Sequence, residues 1–200
     1  MPEDENARFS GASATKVQAP APCVVKGEIE RRKGVNGKEY AIGFELRLPE
    51  KWNNKFLFQG GGGLNGVVSP AIGKIPSRGS TAKPALTRGY AVVTTDSGHG
   101  GGSMDISFSE DQLARINYAY ASTGKVTSIA KQIIENVYNV PPQYSYFMGC
   151  SNGGREAMQA AMRYPNEFDG IVAGNPGFRL SRAAIGEAWD NQQFVKYSPT

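Results

Sequence analysis

The sequence predicts an α/β fold in which a mostly parallel sheet carries helices on both faces. Short apolar runs typical of strands, one long segment with helical periodicity, and glycine-rich turns between them support this prediction. After residue 55 the strand-like and helix-like segments alternate. Parallel strands need a crossover connection between them, so this alternation indicates a parallel sheet rather than a series of hairpins.

The chain before residue 55 has a different pattern, in which two alternating runs follow each other. The first run covers residues 23–32 and the second ends before Pro49, with a glycine-containing turn at residues 34–37 between them. We therefore expect an antiparallel hairpin. One face of its second strand is apolar and is expected to face the core. That face consists of Ile42, Phe44, Leu46 and Leu48.

Two short strands and one amphipathic helix are predicted in the middle of the chain. Residues 56–58 and 90–96 form apolar runs that are short enough for buried strands. Residues 122–138 carry apolar side chains at helical spacing, and Ser122 or Thr123 is the expected N-cap. The two strands are each followed by a glycine-rich segment. We call residues 60–66 the first glycine loop and residues 97–102 the second glycine loop.

The segment after this helix predicts a nucleophile elbow. An aromatic run at residues 144–148 is typical of a buried strand, and residues 155–164 are good helix formers. Between them, Gly149, Ser151 and Gly153 fit the pattern G-x-S-x-G, which places a serine hydroxyl at a strained turn. We therefore predict that Ser151 is a catalytic nucleophile. The alternative is a glycine-rich turn with a serine that has no catalytic part.

The order of elements extends this prediction to the whole domain. Hairpin, strand, strand, helix, elbow strand, helix and a last strand at residues 170–173 are the N-terminal half of an α/β-hydrolase sheet. We therefore expect an incomplete α/β-hydrolase core over residues 23–177. The polar residues 1–22 are expected to be a flexible lead-in.

Acyl transfer by a serine also needs hydrogen-bond donors where the oxyanion develops. In this fold one donor is the backbone N–H after the nucleophile, here that of Asn152. The other donor comes from the loop after the third strand, which here is the first glycine loop. We assign it to Gly61 or Gly62, since glycines let the backbone approach a substrate closely.

Both glycine loops match other motifs, which need to be weighed. The glycines at positions 61, 63 and 66 fit the dinucleotide fingerprint G-x-G-x-x-G, but that fingerprint must open a helix, and the proline-containing segment after it cannot. The second glycine loop contains His99 followed by three glycines, like the HGGG motif of some lipases. It follows the wrong strand for an oxyanion loop. We expect His99 to be structural near the cleft, with substrate contact as the alternative.

The sequence does not offer a complete catalytic triad. In α/β-hydrolases the acid and then the histidine follow the nucleophile, whereas His99 is the only histidine and precedes Ser151. None of the downstream acids stands after a later strand, where the triad acid belongs. These acids are Glu156, Glu167, Asp169, Glu187 and Asp190. We expect the nucleophile and the oxyanion donors without the base and its carboxylate.

Composition excludes several other classes of protein. The net charge is +4 and the longest basic run covers residues 31–33, which is not typical of a nucleic-acid-binding surface. No apolar run approaches the roughly 20 residues that span a bilayer, and the acidic, polar N-terminus does not fit a signal peptide. Two cysteines, Cys23 and Cys150, cannot form a disulfide scaffold. We expect neither nucleic acid nor a membrane as a partner.

The segment YFMGCSNGGREAMQAAMRYPNEFDGIVAGNP resembles the elbow region of the tannase and feruloyl esterase family. FQGGGGLNG and RGYAVVTTDSGHGG resemble the two upstream glycine loops of the same family. The resemblance covers about residues 23–192, and the cysteine immediately before the serine is a mark of the family. It implies a secreted or periplasmic serine esterase whose substrate is a small ester of an aromatic acid.

The resemblance also implies roles for segments and cysteines. In the family, the equivalent of Cys150 is bridged to a cysteine beside the catalytic histidine, and the equivalent of Cys23 to one further upstream. Both partners are absent here, and we do not expect a bond between Cys23 and Cys150. Residues 178–200 would begin a lid domain, and the calcium site of that lid would lie outside this chain. We therefore expect no cofactor or metal here.

Two other readings stay open. The chain could be another α/β-hydrolase, such as a lipase or a dienelactone-type hydrolase, although the latter has cysteine as its nucleophile and the glycines here frame Ser151. It could also be an inactive, truncated homologue that binds aromatic esters without cleaving them.

Overall fold

A computed structural model describes residues 22–74 and 83–198. Six strands form one sheet in the order β1-β2-β4-β3-β5-β6. The predicted lead-in over residues 1–22 lies outside the described residues except for its last position. The strands are β1 Cys23–Lys33, β2 Glu39–Leu48, β3 Lys55–Gln59, β4 Ala91–Thr95, β5 Tyr144–Cys150 and β6 Gly170–Gly174.

The sheet is mixed, as the sequence predicts. Strands β1 and β2 form the antiparallel hairpin, and β2 also pairs antiparallel with β4. The four strands β4, β3, β5 and β6 are parallel neighbours in that order. Strand β6 is the last strand on its side among the described residues, and its Val172 is 61% exposed. All parallel strands end at one edge of the sheet, where both glycine loops and the elbow follow them.

The helices are α1 Gln112–Ile116, α2 Ser122–Tyr138, α3 Asn152–Arg163 and α4 Leu180–Tyr197. A π-helical turn over Asn117–Ala121 joins α1 to α2 without a break. The prediction that Ser122 or Thr123 caps α2 was therefore wrong. The chain is already helical before them, and the side chain of Asp111 caps α1 by accepting the N–H of Ala114 at 2.9 Å.

The π-helical turn has a clear physical reason. A π turn leaves backbone carbonyls without their usual α-helical partners. Here the guanidinium of Arg155 donates to the carbonyls of Tyr118 and Ala119, at 2.9 Å each, and lies over the ring of Tyr118. The helix that carries the elbow therefore stabilises the irregular start of α2.

The predicted apolar face of β2 is confirmed. Its four side chains are 0–6% exposed and join one core cluster with Phe56, Phe58 and Phe147 of the parallel strands. The opposite face of β2 was not predicted to be buried. It carries the ion pair of Glu45 and Arg47, with 2.7 Å between Oε1 and Nε.

Candidate active site

Ser151 lies at the turn between β5 and α3 with φ 58° and ψ −119°. This is a conformation that residues other than glycine rarely adopt, so the surrounding structure must hold it. The N–H of Ser151 donates to the carbonyl of Gly174 at 3.0 Å, and its own carbonyl accepts from Gly177 at 3.0 Å. The residue is exposed. The strained turn thus presents the hydroxyl-bearing residue at the carboxyl edge of the sheet.

The glycines around Ser151 are required by close backbone contacts. A Cβ on Gly149 would overlap the backbone of Gly153. A Cβ on Gly153 would lie 2.6 Å from the carbonyl oxygen of Gly61 and 3.0 Å from the carbonyl carbon of Gly60. The first glycine loop therefore lies directly on the first turn of α3, beside Ser151.

Asn152 is the first residue of α3, and the first N–H groups of a helix have no partner within the helix. Its side chain is buried. The side-chain oxygen accepts from the hydroxyl of Tyr118 at 2.9 Å and from Nε of Arg155 at 2.6 Å. The side-chain nitrogen donates to Oδ1 of Asn65 at 2.8 Å. These contacts fix the residue whose backbone N–H is the predicted oxyanion donor.

The two candidates for the second donor have different surroundings. The N–H of Gly61 donates to Oε2 of Glu156 at 2.9 Å, so it is directed into the protein. Gly62 is exposed, and a Cβ added to it would meet no atom within 4 Å. Of the two predicted positions, Gly62 is the one that borders open space.

Glu156 is buried at the centre of a polar network, a role that was not predicted from the sequence. Its Oε1 accepts from Nδ2 of Asn65 at 2.6 Å and from the hydroxyl of Ser97 at 2.9 Å. Asn65 also donates to Ser97. This single carboxylate thus connects α3 with both glycine loops.

His99 is fully buried inside the second glycine loop. Its Nε2 lies 3.0 Å from the carbonyl oxygen of Leu64, and its ring stacks on Phe108 with 3.9 Å between centroids. Burial holds its pKa below the usual value, against the opposing effect of the carbonyls of Leu64 and Gly100. Substrate contact by His99 finds no support in this placement, because the side chain reaches no solvent.

Asp96 holds the second glycine loop at its base. Its carboxylate accepts the N–H of Gly98 at 2.8 Å and that of Gly43 at 3.0 Å. Burial raises the pKa of Asp96 to about 6, although the hydrogen bonds from Gly98 and Gly43 oppose this shift. The carboxylate therefore costs free energy when it is charged in the folded protein.

Cys150, next to Ser151, is half-buried, and both it and the exposed Cys23 are free thiols. Across residues 22–74 and 83–198, histidine, cysteine and carboxylate side chains do not gather into a group that could hold a metal ion. Within the same part of the chain, the helices are too short or too polar to cross a bilayer.

Comparison with known proteins identifies relatives along almost the whole chain. The family profile described as tannase and feruloyl esterase matches residues 23–198. The mono(2-hydroxyethyl) terephthalate hydrolase of Piscinibacter sakaiensis is 40% identical over 191 residues, which cover 92% of this chain and 31% of that protein. Feruloyl esterase B of Aspergillus niger is 31% identical over 131 residues, which cover 66% of this chain and 23% of that protein.

Solved structures agree with this assignment and with the predicted α/β-hydrolase fold. Feruloyl esterase B from Aspergillus oryzae has a TM-score of 0.69 and 28% identity, covering 86% of this chain and 32% of that one. An esterase from the same organism has a TM-score of 0.67 and 26% identity, covering 84% of this chain and 31% of that one. The chain spans about a quarter to a third of the length of these relatives.

Proposed function

This chain belongs to the tannase and feruloyl esterase family, and we propose that it carries the nucleophile and oxyanion donors of a serine esterase for esters of aromatic acids. The observation that carries the proposal is the strained backbone of Ser151, at a turn between a central parallel strand and a helix. Such strain persists only where the structure holds it, and it is concentrated at functional sites.

The proposed chemistry follows from the position of Ser151. Its Oγ attacks the ester carbonyl carbon while its proton passes to a general base. This attack forms a tetrahedral intermediate. The negative oxygen of that intermediate accepts hydrogen bonds from the backbone N–H groups of Asn152 and Gly62. When the intermediate collapses, the C–O bond to the alcohol breaks, the alcohol oxygen takes the proton back from the base, and an acyl-serine remains. Water, deprotonated by the same base, then attacks the acyl-serine, which releases the free acid and restores the hydroxyl of Ser151.

We propose that the base and its carboxylate are not among these 200 residues. The single histidine, His99, is buried, and its ring nitrogens lie against the backbone carbonyls of Leu64 and Gly100. The acids after Ser151 give no better candidate, since the buried one, Glu156, already accepts hydrogen bonds from both glycine loops.

The substrate class rests on the names of the relatives, which include feruloyl esterases and a terephthalate ester hydrolase. We propose that residues 178–200 begin a lid over the acid-binding side. Helix α4 supports this, because it presents large apolar side chains to solvent, among them Trp189, Phe194 and Tyr197. No metal or cofactor takes part in the proposed chemistry. Action outside the cytoplasm is a further proposal from the family resemblance, which fractionation of the source cells would test.

The test is hydrolysis of methyl ferulate and methyl gallate by the 200-residue chain and by Ser151→Ala. Removing a member of a catalytic triad costs on the order of 10⁴ to 10⁶ in rate, so both proteins should be close to the uncatalysed rate. Robust turnover that Ser151→Ala abolishes would show that the base lies within the chain. Turnover well above the uncatalysed rate that persists unchanged in Ser151→Ala would remove Ser151 from the reaction.

A further inference from the structure

We infer that Glu156 is a positioning residue, whose carboxylate fixes the first glycine loop so that Gly62 and not Gly61 faces the cleft beside Ser151. The inference deepens the proposed function and rests on it only for the catalytic meaning of that loop. Glu156 does not touch the substrate in this account. It acts through the backbone that it holds.

The contacts of Glu156 are all of one kind. Oε2 accepts the backbone N–H of Gly61, while Oε1 accepts Nδ2 of Asn65 and the hydroxyl of Ser97. The side-chain nitrogen of Asn152 adds a longer contact to Oε1 at 3.4 Å. A carboxylate is the side chain that offers only acceptors, so it matches a ring of donors that a glutamine could not fully satisfy.

Because Glu156 is buried, its hydrogen bond to Gly61 determines which way the Gly61 peptide faces. The side chain of Glu156 is 3% exposed, and the guanidinium of Arg155 lies 4.0 Å away as its charge partner. A buried N–H without an acceptor costs free energy comparable to a lost hydrogen bond. If the carboxylate were removed, the N–H of Gly61 would have to turn toward solvent, and the peptide that follows it would turn with it.

The position of Glu156 on α3 links the first glycine loop to the other half of the proposed oxyanion site. Asn152 and Glu156 are four residues apart, so they share one face of α3. Asn152 supplies one predicted donor directly, and Glu156 fixes the loop that supplies the other. Gly153, on the same helix, packs closely against the first glycine loop and is a second contact that positions it. Both donors are thus positioned relative to one rigid element.

Amide hydrogen exchange of Gly61, followed by NMR in the 200-residue chain, tests the inference. In Glu156→Gln and Glu156→Asp we expect the Gly61 amide to exchange at least about tenfold faster. The exchange rate of the Val93 amide in β4 should rise only by the factor that any loss of global stability explains. Ser97→Ala is the matched control, because it removes a donor to Oε1 and leaves the Oε2 contact with Gly61 in place. It should change the exchange of Gly61 less than about threefold.

Equal acceleration at Gly61 and Val93 would overturn the inference, because Glu156 would then only stabilise the fold. An effect of Ser97→Ala as large as that of the Glu156 variants would also overturn it. If the variants fail to fold, the wild-type chain decides. The Gly61 amide should be protected from exchange and that of Gly62 should not, and a Gly61 amide that exchanges as fast as that of Gly62 contradicts the inference. None of these readouts involves Ser151, so the inference and the proposed function can fail separately.

Discussion

Both glycine loops have exposed glycines, Gly62 in the first and Gly100 in the second, but the loops differ in what they enclose. The first, residues 60–66, leaves Gly62 exposed beside the elbow. The second, residues 97–102, surrounds the fully buried ring of His99. A run of glycines therefore predicts that the backbone can turn freely, but it does not predict which peptide faces a substrate. That depends on the side chains beneath each loop.

Each loop is held by one carboxylate that accepts a glycine N–H, and the two carboxylates differ in their partners. Glu156 has side-chain donors from Asn65 and Ser97 in addition to the N–H of Gly61. Asp96 is held by backbone N–H groups, and burial raises its pKa. Glu156 of α3 therefore contacts both loops, and Asp96 fixes the second loop additionally to strand β2 through the N–H of Gly43.

The largest effect is expected where the first loop meets α3. Gly153→Ala would place a Cβ 2.6 Å from the carbonyl oxygen of Gly61, and neither backbone can move without disturbing the elbow. We expect a loss of more than about 3 kcal/mol in the free energy of unfolding, measured by urea denaturation. The control is Gly186→Ala in α4, where the new Cβ meets nothing within 4 Å and a gain of up to about 1 kcal/mol is expected. Similar changes in unfolding free energy for Gly153→Ala and Gly186→Ala would contradict close packing between Gly153 and the first glycine loop.

The next effect concerns Asp96 and depends on pH. Its folded-state pKa of about 6 lies above the unfolded value of about 3.9, so the folded protein binds the extra proton between these values. Stability should therefore fall as pH rises from about 4 to 6, by up to about 3 kcal/mol, and level off above pH 6. The stability of wild type minus that of Asp96→Asn, from denaturation at several pH values, isolates this term. A difference that stays constant or rises with pH would refute the assignment.

A smaller loss of stability is expected when the buried side chain of His99 in the second loop is replaced. His99→Leu leaves the carbonyl of Leu64 without the ring nitrogen that it contacts at 3.0 Å, and it removes the stacking on Phe108. We expect about 2 kcal/mol less stability and an unchanged Gly61 amide exchange relative to global unfolding. A selective change at Gly61 would show that the contact of His99 with Leu64, and not only Glu156, fixes the first glycine loop.

The smallest effect distinguishes the two candidate donors. A Cβ on Gly61 would overlap the side chain of Asn65, whereas one on Gly62 meets nothing within 4 Å. Gly61→Ala should lose about 1–2 kcal/mol, and Gly62→Ala should stay within about 0.5 kcal/mol of wild type in thermal and urea unfolding. The opposite order would mean that Gly62, and not Gly61, is directed into the protein.

The sequence predicted the order of the strands and the elbow well, because periodicity and the G-x-S-x-G context are local signals. It did not separate Gly61 from Gly62, since the acceptor that selects between them lies 95 residues further along the chain. The helical turn before Ser122 was also not predicted, because a contact with a residue distant in sequence stabilises it. It depends on Arg155, which is distant in sequence. In the sequence Glu156 is one glutamate on a predicted helix, and its burial and its partners become visible only in the fold.

Chemical rescue most directly tests our proposal that Ser151 is a nucleophile whose base is not among these 200 residues. The 200-residue chain and Ser151→Ala are incubated with a fluorophosphonate at pH 7.5, with increasing imidazole, and the adduct is located by mass spectrometry. We predict an adduct on Ser151 that is slow without imidazole and faster in proportion to it, because the free base replaces the missing histidine. Fast labelling without imidazole, or no labelling of Ser151 at any imidazole concentration, would contradict the account.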